Sequence, residues 1–397
     1  MPEIATPQTG TPQAATPQTA TPQTVTPQGT APGIAAPRTA PDAVDAMRRI
    51  AGYRRDFDVR FAAYFDGLRD ELGPLATGRF APRCVELLRD QSLRGGKRLR
   101  VALLHEAARL VTDEEVPGLD AAALSIELLH THGLVHDDIV DDAPLRRGAP
   151  STYYAYRADF PGRERTALGL AVLAGDLAAF LSVRVLLEAP VPAELARAMA
   201  AVQSRAAADT VLGQFLDLER DFPPVPDEEF LHTVTEFKSA RYSILAPLRM
   251  GLLAAGEDPE RYADELRRYA VLVGIYEQMR DDYLDLFGDA EVTGKPVGTD
   301  LRDGRRTYAV NALLDAVEGA ERTLVTSALG APGCDAETVA EIREIARRRG
   351  VDARLRDRMR HYARGASEEA ARWRPRWRED AVSFFEALPL WSVEREA

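Results

Sequence analysis

Cysteine is nearly absent from this chain: two of 397 residues, Cys84 and Cys334, far apart and in no metal-ligand spacing. That excludes a disulfide framework and a cysteine-type zinc site, and it suits a reducing compartment, so the default location is the cytoplasm. No run of 18 or more apolar residues occurs, and no basic stretch followed by an apolar one opens the sequence. Neither a membrane span nor a secretory signal is therefore readable. Alternating β-branched runs of strand type are scarce as well, which argues against sheets. Lysine is scarcest of the charged residues, with only Lys97, Lys238 and Lys295 among 50 basic positions. A net charge of −12 excludes a general binder of nucleic acid or anionic membrane. An anionic ligand must then be met by locally placed cations, and all three lysines lie in motifs of phosphate type.

Residues 6 to 30 hold five pentapeptides at fixed period, TPQTG, TPQAA, TPQTA, TPQTV and TPQGT, followed by a Pro/Ala-rich stretch. With almost no large apolar side chains, this segment cannot offset the entropy of ordering, about 1 to 2 kcal/mol per residue for the backbone. Residues 1–41 are read as a disordered tail. From Asp42 onward the pattern changes to apolar residues at helical spacing, as in Ile50 to Leu72, Leu103 to Val111 and Ala121 to Val140. Gly/Pro breaks fall at Gly73-Pro74, Gly95-Gly96, Gly148 to Pro150, Pro190 to Pro192, Pro223 to Pro226, Gly256 with Pro259, and Ala331 to Gly333. Nothing marks an internal linker, so residues 42–397 are predicted to form one all-α domain, a single large helical bundle.

Two acidic clusters follow apolar runs. His136-Asp137-Asp138-Ile139-Val140-Asp141-Asp142 comes after Leu124 to Leu129, and Gln278-Met279-Arg280-Asp281-Asp282-Tyr283-Leu284-Asp285 comes after Tyr269 to Tyr276. At 100° per residue, Asp137 and Asp141 lie about 40° apart on one helix face, as do Asp281 and Asp285. One such cluster reads equally as a solvated helix end. Two with identical DDxxD spacing point to cations held between like charges that otherwise repel. Oxygen ligands without cysteine favour Mg²⁺, which keeps open positions for waters and substrate phosphates.

Cations stand at intervals along the chain. Gly95-Gly96-Lys97-Arg98-Leu99-Arg100 sets paired glycines before a helix start, where backbone N–H groups and the helix dipole favour an anion. Arg146 and Arg147 follow the first acidic cluster, Lys238 lies in Phe237 to Tyr242, and Lys295 precedes Arg305 and Arg306. His130, seven residues before Asp137, shares its face to within about 20°. The combination suggests two diphosphate pockets, one bridged by Mg²⁺ and one held by Lys, Arg and His directly. A satisfied structural role for His130 stays open.

These residues resemble the trans-isoprenyl diphosphate synthases, or polyprenyl synthetases. The resemblance rests on GGKRLR (95–100), ELLHTHGLVHDDIVDDAPLRRG (127–148), LAGDL (173–177), GQFLDL (213–218), KSARY (238–242), EQMRDDYLDLFGD (277–289) and GKPVGTDLRDGRRT (294–307). It implies the helical bundle of the isoprenoid synthases, a homodimer, and joining of isopentenyl diphosphate to an allylic diphosphate with three Mg²⁺ ions per site. By the same resemblance Asp137, Asp141, Asp281 and Asp285 form the metal set, with Asp138 and Asp282 supporting. Arg146, Lys238, Lys295 and Arg305 then contact the allylic diphosphate, and Lys97, Arg100, His130 and Arg147 the isopentenyl diphosphate. Ser239 and Gln278 stand where the family stabilises the allylic cation and positions the second metal cluster. Ser239 and Arg305 replace a more usual Thr and Lys, and Ala309 a more usual Pro.

The family sets product length by side chains about one turn before the first aspartate. Here these are His132 and Gly133, with Leu129 a turn deeper, which favours geranylgeranyl diphosphate, with farnesyl or longer products as alternatives. A class I terpene cyclase would share the fold but not need the GGKRLR pocket. A non-catalytic subunit of a heteromeric synthase would usually have lost some of the six aspartates present here.

Overall fold

The apolar periods close into helices throughout the computed structural model, which describes residues 41–289 and 297–394. In chain order these are α1 Pro41–Asp70, α2 Phe80–Leu93, α3 Leu99–Val111, α4 Leu119–Val140, α5 Thr152–Asp159, α6 Glu164–Leu187, α7 Ala193–Glu219 and α8 Glu228–Thr235. A π-helix, Glu236–Leu245, then runs directly into α9 Ala246–Ala254, followed by α10 Ala263–Phe287. The C-terminal part comprises α11 Thr299–Asp303, α12 Tyr308–Ala316, α13 Gly319–Ala328, α14 Ala336–Arg348, α15 Val351–Ala371 and α16 Glu379–Glu394. Among the described residues the only strands are Leu145–Arg146 and Ala149–Pro150, so the all-α expectation holds. The unit of contact containing all these helices runs from Thr39 to Ala397. The TPQ-repeat tail and Lys295 lie outside the described residues.

Local chemistry sets the ends. Pro41, assigned to the tail by composition, is instead the first residue of α1; proline suits a helix start because its missing N–H would be unpaired there anyway. Side-chain oxygens of Asp227, Thr307 and Asp335 accept the backbone N–H groups of Phe230, Val310 and Thr338, capping α8, α12 and α14. Every Gly/Pro break read from the sequence falls between helices.

Three apolar clusters join the helices. One is built on α2, α3, α4 and α6 around Leu88, Leu104, Ile126 and Ala174, together with the phenylalanines Phe57, Phe61 and Phe65 of α1. A second packs α3, α9, α10, α15 and α16 around Tyr269, Tyr276, Trp373 and Phe385. A third holds α11 to α15 together through Leu313, Ile342 and Leu355. The acidic clusters lie at the C-terminal ends of α4 and α10.

Helix α6 adds something the sequence reading missed. By length and composition it could cross a membrane, yet 44% of its most apolar window is buried inside the protein. Small residues explain both properties: Ala167, Ala171, Ala174 and Ala178 lie fully buried. On the opposite face Leu173, Phe180 and Leu187, each seven residues from the next, are 63%, 75% and 59% exposed.

Candidate active site

The first acidic cluster takes its geometry from how α4 stops. Asp142 adopts φ +46°, a left-handed conformation, while its N–H bonds to the Ile139 carbonyl and the Ala143 N–H to that of Asp138. This is a Schellman ending with aspartate in the position glycine usually fills. Asp142 is thereby spent on the cap, its carboxylate accepting the Tyr154 hydroxyl at 3.1 Å. Asp137, Asp138 and Asp141 remain on the last turn and its edge.

Two residues on, the chain folds into a hairpin whose turn residues Arg147 and Gly148 both have positive φ, 52° and 77°. A two-residue turn of this kind matches the twist of paired strands. It sends the two arginines to different places. Arg146 Nε donates to Asp138 Oδ1 at 2.7 Å, and its Nη2 approaches Asp137 Oδ2 to 3.4 Å. Arg147 Nη1 donates to the carbonyls of Arg94 and Gly95, both at 3.0 Å, in the loop before α3. Gly96, at φ +111°, lies so near that a side chain there would come within 3.2 Å of the Arg147 guanidinium.

Lys238 closes the first cluster from the π-helix. Its ammonium lies 2.6 Å from Asp217 on α7 and 3.3 Å from Asp137. Burial alone would lower that ammonium's pKa, but Asp137 and Asp217 outweigh it and raise it above the ordinary value. Asp217 behaves in mirror image: burial pushes it up, while Lys238 and Arg220 hold it below the usual carboxylate range. Arg305 reaches across from beyond α11 to Asp141 at 2.5 Å. Burial raises Asp141 and the neighbouring Asp137 raises it further, against the pull of Arg305 and Lys238.

The second cluster is divided among different tasks. Asp282 is buried, accepts the Tyr308 N–H at 2.8 Å and the Gln278 amide at 2.9 Å, and is pushed up to about 7 by burial. Asp285, expected among the metal ligands, has both carboxylate oxygens turned to the start of α11, accepting the N–H groups of Thr299 at 3.1 Å and Asp300 at 3.0 Å. The helix start after the glycine loop offers those N–H groups to whichever carboxylate is nearest. Asp281 is the exposed member. Lys238, Ser239, Gln278, Asp282 and Arg305 line one cleft with Asp217, Arg220 and Asp300.

The cationic pocket forms around α4 and α3. Arg100 Nη2 donates to the Tyr242 hydroxyl and to Ser243 Oγ, both at 2.9 Å, and its guanidinium lies 4.9 Å from the Tyr242 ring. His130 Nδ1 is 3.4 Å from the same hydroxyl. Burial, and then the charges of Arg100 and Arg147, keep its imidazole neutral, well below the ordinary pKa. Arg100, His130 and Arg147 are thus together, whereas Lys97 lines a separate cavity of about 500 Å³ with Arg54, Ile50, Leu99, Glu277 and Leu388. Arg98, between the two, has φ +52° and a side chain only 3% exposed, bonded to Glu127, Asp58 and the Ser92 carbonyl.

Below the first aspartate, Leu129 is buried and Gly133 has nothing within 4 Å of where a Cβ would stand. His132 does not face that space. Five residues from Asp137 it is rotated by about 140°, and its Nδ1 lies 3.0 Å from the Gly175 carbonyl of α6. Among the described residues no group of three or more His, Cys, Asp or Glu side chains is placed to hold a metal ion. Asp137 Oδ1 is buried and faces the Lys238 ammonium at 3.3 Å.

Asp217, Arg220, Tyr242 and Ser243 join the site without being marked as site residues by the sequence. Asp217 and Tyr242 lie inside quoted motifs, and the reach of Asp217 could be read from its position four residues after Gly213. Arg220 and Ser243 carry no signal beyond their charge or hydroxyl.

Two long helices ending in carboxylates, with arginines and a lysine brought against them from separate elements, define a helical enzyme built for multiply charged anions. The chain belongs to the polyprenyl synthetase family, whose model matches residues 82–346; these are the trans-isoprenyl diphosphate synthases, and the activity is prenyl-chain elongation. The chain is 32% identical over 260 residues to a short chain isoprenyl diphosphate synthase of Methanothermobacter thermautotrophicus, covering 65% of this chain and 74% of that one. It is likewise 32% identical over 251 residues to a farnesyl diphosphate synthase of Escherichia coli, covering 62% and 80%. Among solved structures, a geranylgeranyl pyrophosphate synthase from Corynebacterium glutamicum, complexed with isoprenyl diphosphate and magnesium, aligns with a TM-score of 0.75 at 27% identity, covering 89% of this chain and 98% of that one.

Proposed function

We propose that this prenyltransferase joins isopentenyl diphosphate to an allylic diphosphate and releases geranylgeranyl diphosphate. The supporting observation is Asp137, whose two carboxylate oxygens are approached from two separate elements, Oδ1 by Lys238 at 3.3 Å and Oδ2 by Arg146 at 3.4 Å. An oxygen-only site that leaves positions for substrate oxygens suits Mg²⁺, and Asp137, Asp141 and Asp281 are the residues that would hold it. When bound, three such ions supply positive charge to the departing diphosphate.

The protein's own groups then act electrostatically. Lys238, Arg146, Arg305 and Lys295 stabilise charge developing on the allylic diphosphate as its carbon–oxygen bond breaks. Arg100, His130 and Arg147 hold the isopentenyl diphosphate, whose double bond attacks the allylic cation, and the proton lost passes to the released diphosphate; Lys97, on its separate cavity, joins them only if its side chain turns toward Arg100. Ser239 and Gln278 face the cation, and apolar walls keep out water. Asp282, tied to Gln278 and the Tyr308 N–H, positions rather than ligates. Asp285 orders α11 in the conformation described and joins the metal set only by turning from those N–H groups. The open space at Gly133 and the buried Leu129 support a twenty-carbon product, with farnesyl or longer products as the second reading.

The apolar stripe of Leu173, Phe180 and Leu187 on α6 is matched on α7 by Val211, Phe215 and Leu218, spaced four and three residues apart. Exposed apolar residues at heptad spacing on neighbouring helices suit a self-complementary face, so the enzyme is a homodimer. Cys84 and Cys334, both unpaired, suit a cytoplasmic enzyme.

The test is purified protein with Mg²⁺, isopentenyl diphosphate and each allylic starter, read by released diphosphate and by mass spectrometry of the product. Turnover giving a twenty-carbon chain is expected, and no turnover with any starter refutes the proposal. Asp137→Ala is expected to abolish turnover with helical circular dichroism intact; near-normal activity would remove Asp137 from the metal set.

A further inference from the structure

The motif Gly213 to Leu218 enters the site through Asp217, but its glycine plays no part in the chemistry described above. Gly213 lies on α7 directly against the backbone of the π-helix. A Cβ there would stand 2.2 Å from the Lys238 nitrogen, 2.5 Å from its Cα and 2.6 Å from the Phe237 carbonyl carbon. These are backbone atoms, which cannot swing aside as a side chain could. On the other side of the same segment Gly274 of α10 meets Ala240, whose Cβ would be 2.6 Å from a Cβ at Gly274. The π-helix is wider than an α-helix, and runs of this form occur often at functional sites. Here the two glycines let its backbone fit between α7 and α10.

What that segment carries gives the fit its consequence. Lys238 reaches Asp217 and Asp137, and one turn later Tyr242 and Ser243 hold Arg100. Helix α7 therefore holds Lys238 at two points: its main chain at Gly213 and its ammonium at Asp217, one helical turn on. We propose that Gly213 is a positioning residue, fixing the main chain of Lys238 so that its ammonium meets the allylic diphosphate. The proposal rests on the assignment of Lys238 to that diphosphate.

Gly213→Ala must push the π-helix outward and carry Lys238 with it. A displacement of about 1 Å at a charged contact can cost up to about a hundredfold in rate. We expect kcat/KM for the allylic diphosphate to fall about tenfold or more, while KM for isopentenyl diphosphate stays within about twofold. The decisive comparison is a double-mutant cycle with Lys238→Ala. If Gly213 acts through Lys238, Gly213→Ala has little further effect once Lys238 is gone, and Lys238→Arg, with a longer reach, restores part of the loss in the Gly213→Ala enzyme. If the two substitutions instead multiply, or if Gly213→Ala lowers the melting temperature and leaves kcat/KM for the allylic diphosphate unchanged, the positioning role is overturned. Should Gly213→Ala fail to fold, Gly274→Ala presses on the same segment at Ala240 and carries the same expectation for the cycle. Loss of the Lys238 assignment itself would be recognised separately, by Lys238→Ala turning over normally in the Gly213 background.

Discussion

Replacing Arg98 with methionine tests a buried charge arrangement that lies outside the acidic clusters. The guanidinium donates to Glu127 Oε2 at 2.6 Å, Asp58 Oδ1 at 2.7 Å and the Ser92 carbonyl at 2.7 Å, and lies 5.5 Å and 5.4 Å from the Phe57 and Phe61 ring centres. Glu127 is 2% exposed, and its other oxygen, Oε1, already lacks a donor. Methionine refills most of the volume but strands that carboxylate, a loss of about 3 to 5 kcal/mol for breaking a buried pair from one side. Asp58, about a third exposed, recovers water and adds roughly 1 kcal/mol at most. The sum is about 4 kcal/mol, which at about 2 °C per kcal/mol for a long chain lowers the melting temperature by roughly 8 °C. Urea unfolding followed by circular dichroism measures it. Arg98→Met/Glu127→Leu, which removes both charges, should recover at least half. A single variant within about 1 kcal/mol of the parent, or a double variant no better than the single, refutes the reasoning.

His105, stacked on Tyr53 at 4.9 Å, is lowered to about 4 by burial. Because its folded pKa lies below its unfolded value, the stability it contributes is complete above pH 6.5 and is lost as pH falls toward 4, by up to roughly 3 kcal/mol; His105→Phe should flatten that part of the stability–pH curve, and an unchanged slope would contradict the burial. Phe180→Asp with Phe215→Asp is expected to give a monomer by light scattering, and a persistent dimer would assign the interface elsewhere. Gly133→Leu projects into open space and should fold normally while shortening the product by one or more five-carbon units in mass spectra; an unchanged product places the growing tail on another face of α4.

The repeating features of the site were legible because helical period alone puts Asp137 with Asp141 and because so few lysines made each one conspicuous. Composition also gave the helical class, since no alternating runs compete with the 3.6-residue period. Roles set by chain reversals were not legible. Asp285 matches the spacing of Asp141, yet its oxygens face the amides of Thr299 and Asp300 because the chain returns there fourteen residues later. His132 and Gly133 are adjacent in sequence but point 100° apart, so only one lies under Asp137. The π-helix leaves no compositional trace, and with it Tyr242 and Ser243 as partners of Arg100 went unread. Arg98 looks like one more cation of its motif, and only its burial separates it from Lys97 and Arg100.

The hairpin after the first acidic cluster also works as a ruler. Arg146 and Arg147 are neighbours across one peptide bond, yet one meets the carboxylates of α4 and the other the loop that leads to Arg100. The spacing between the two cationic groups is therefore set by covalent geometry and a two-residue turn, not by the packing of distant helices. Breathing of the bundle can widen the cleft for a longer tail without separating these two arginines. On the proposed assignment of Arg146 and Arg147 to the two diphosphates, residues deeper along α4 would be free to vary while the distance between the reacting ends stayed constant.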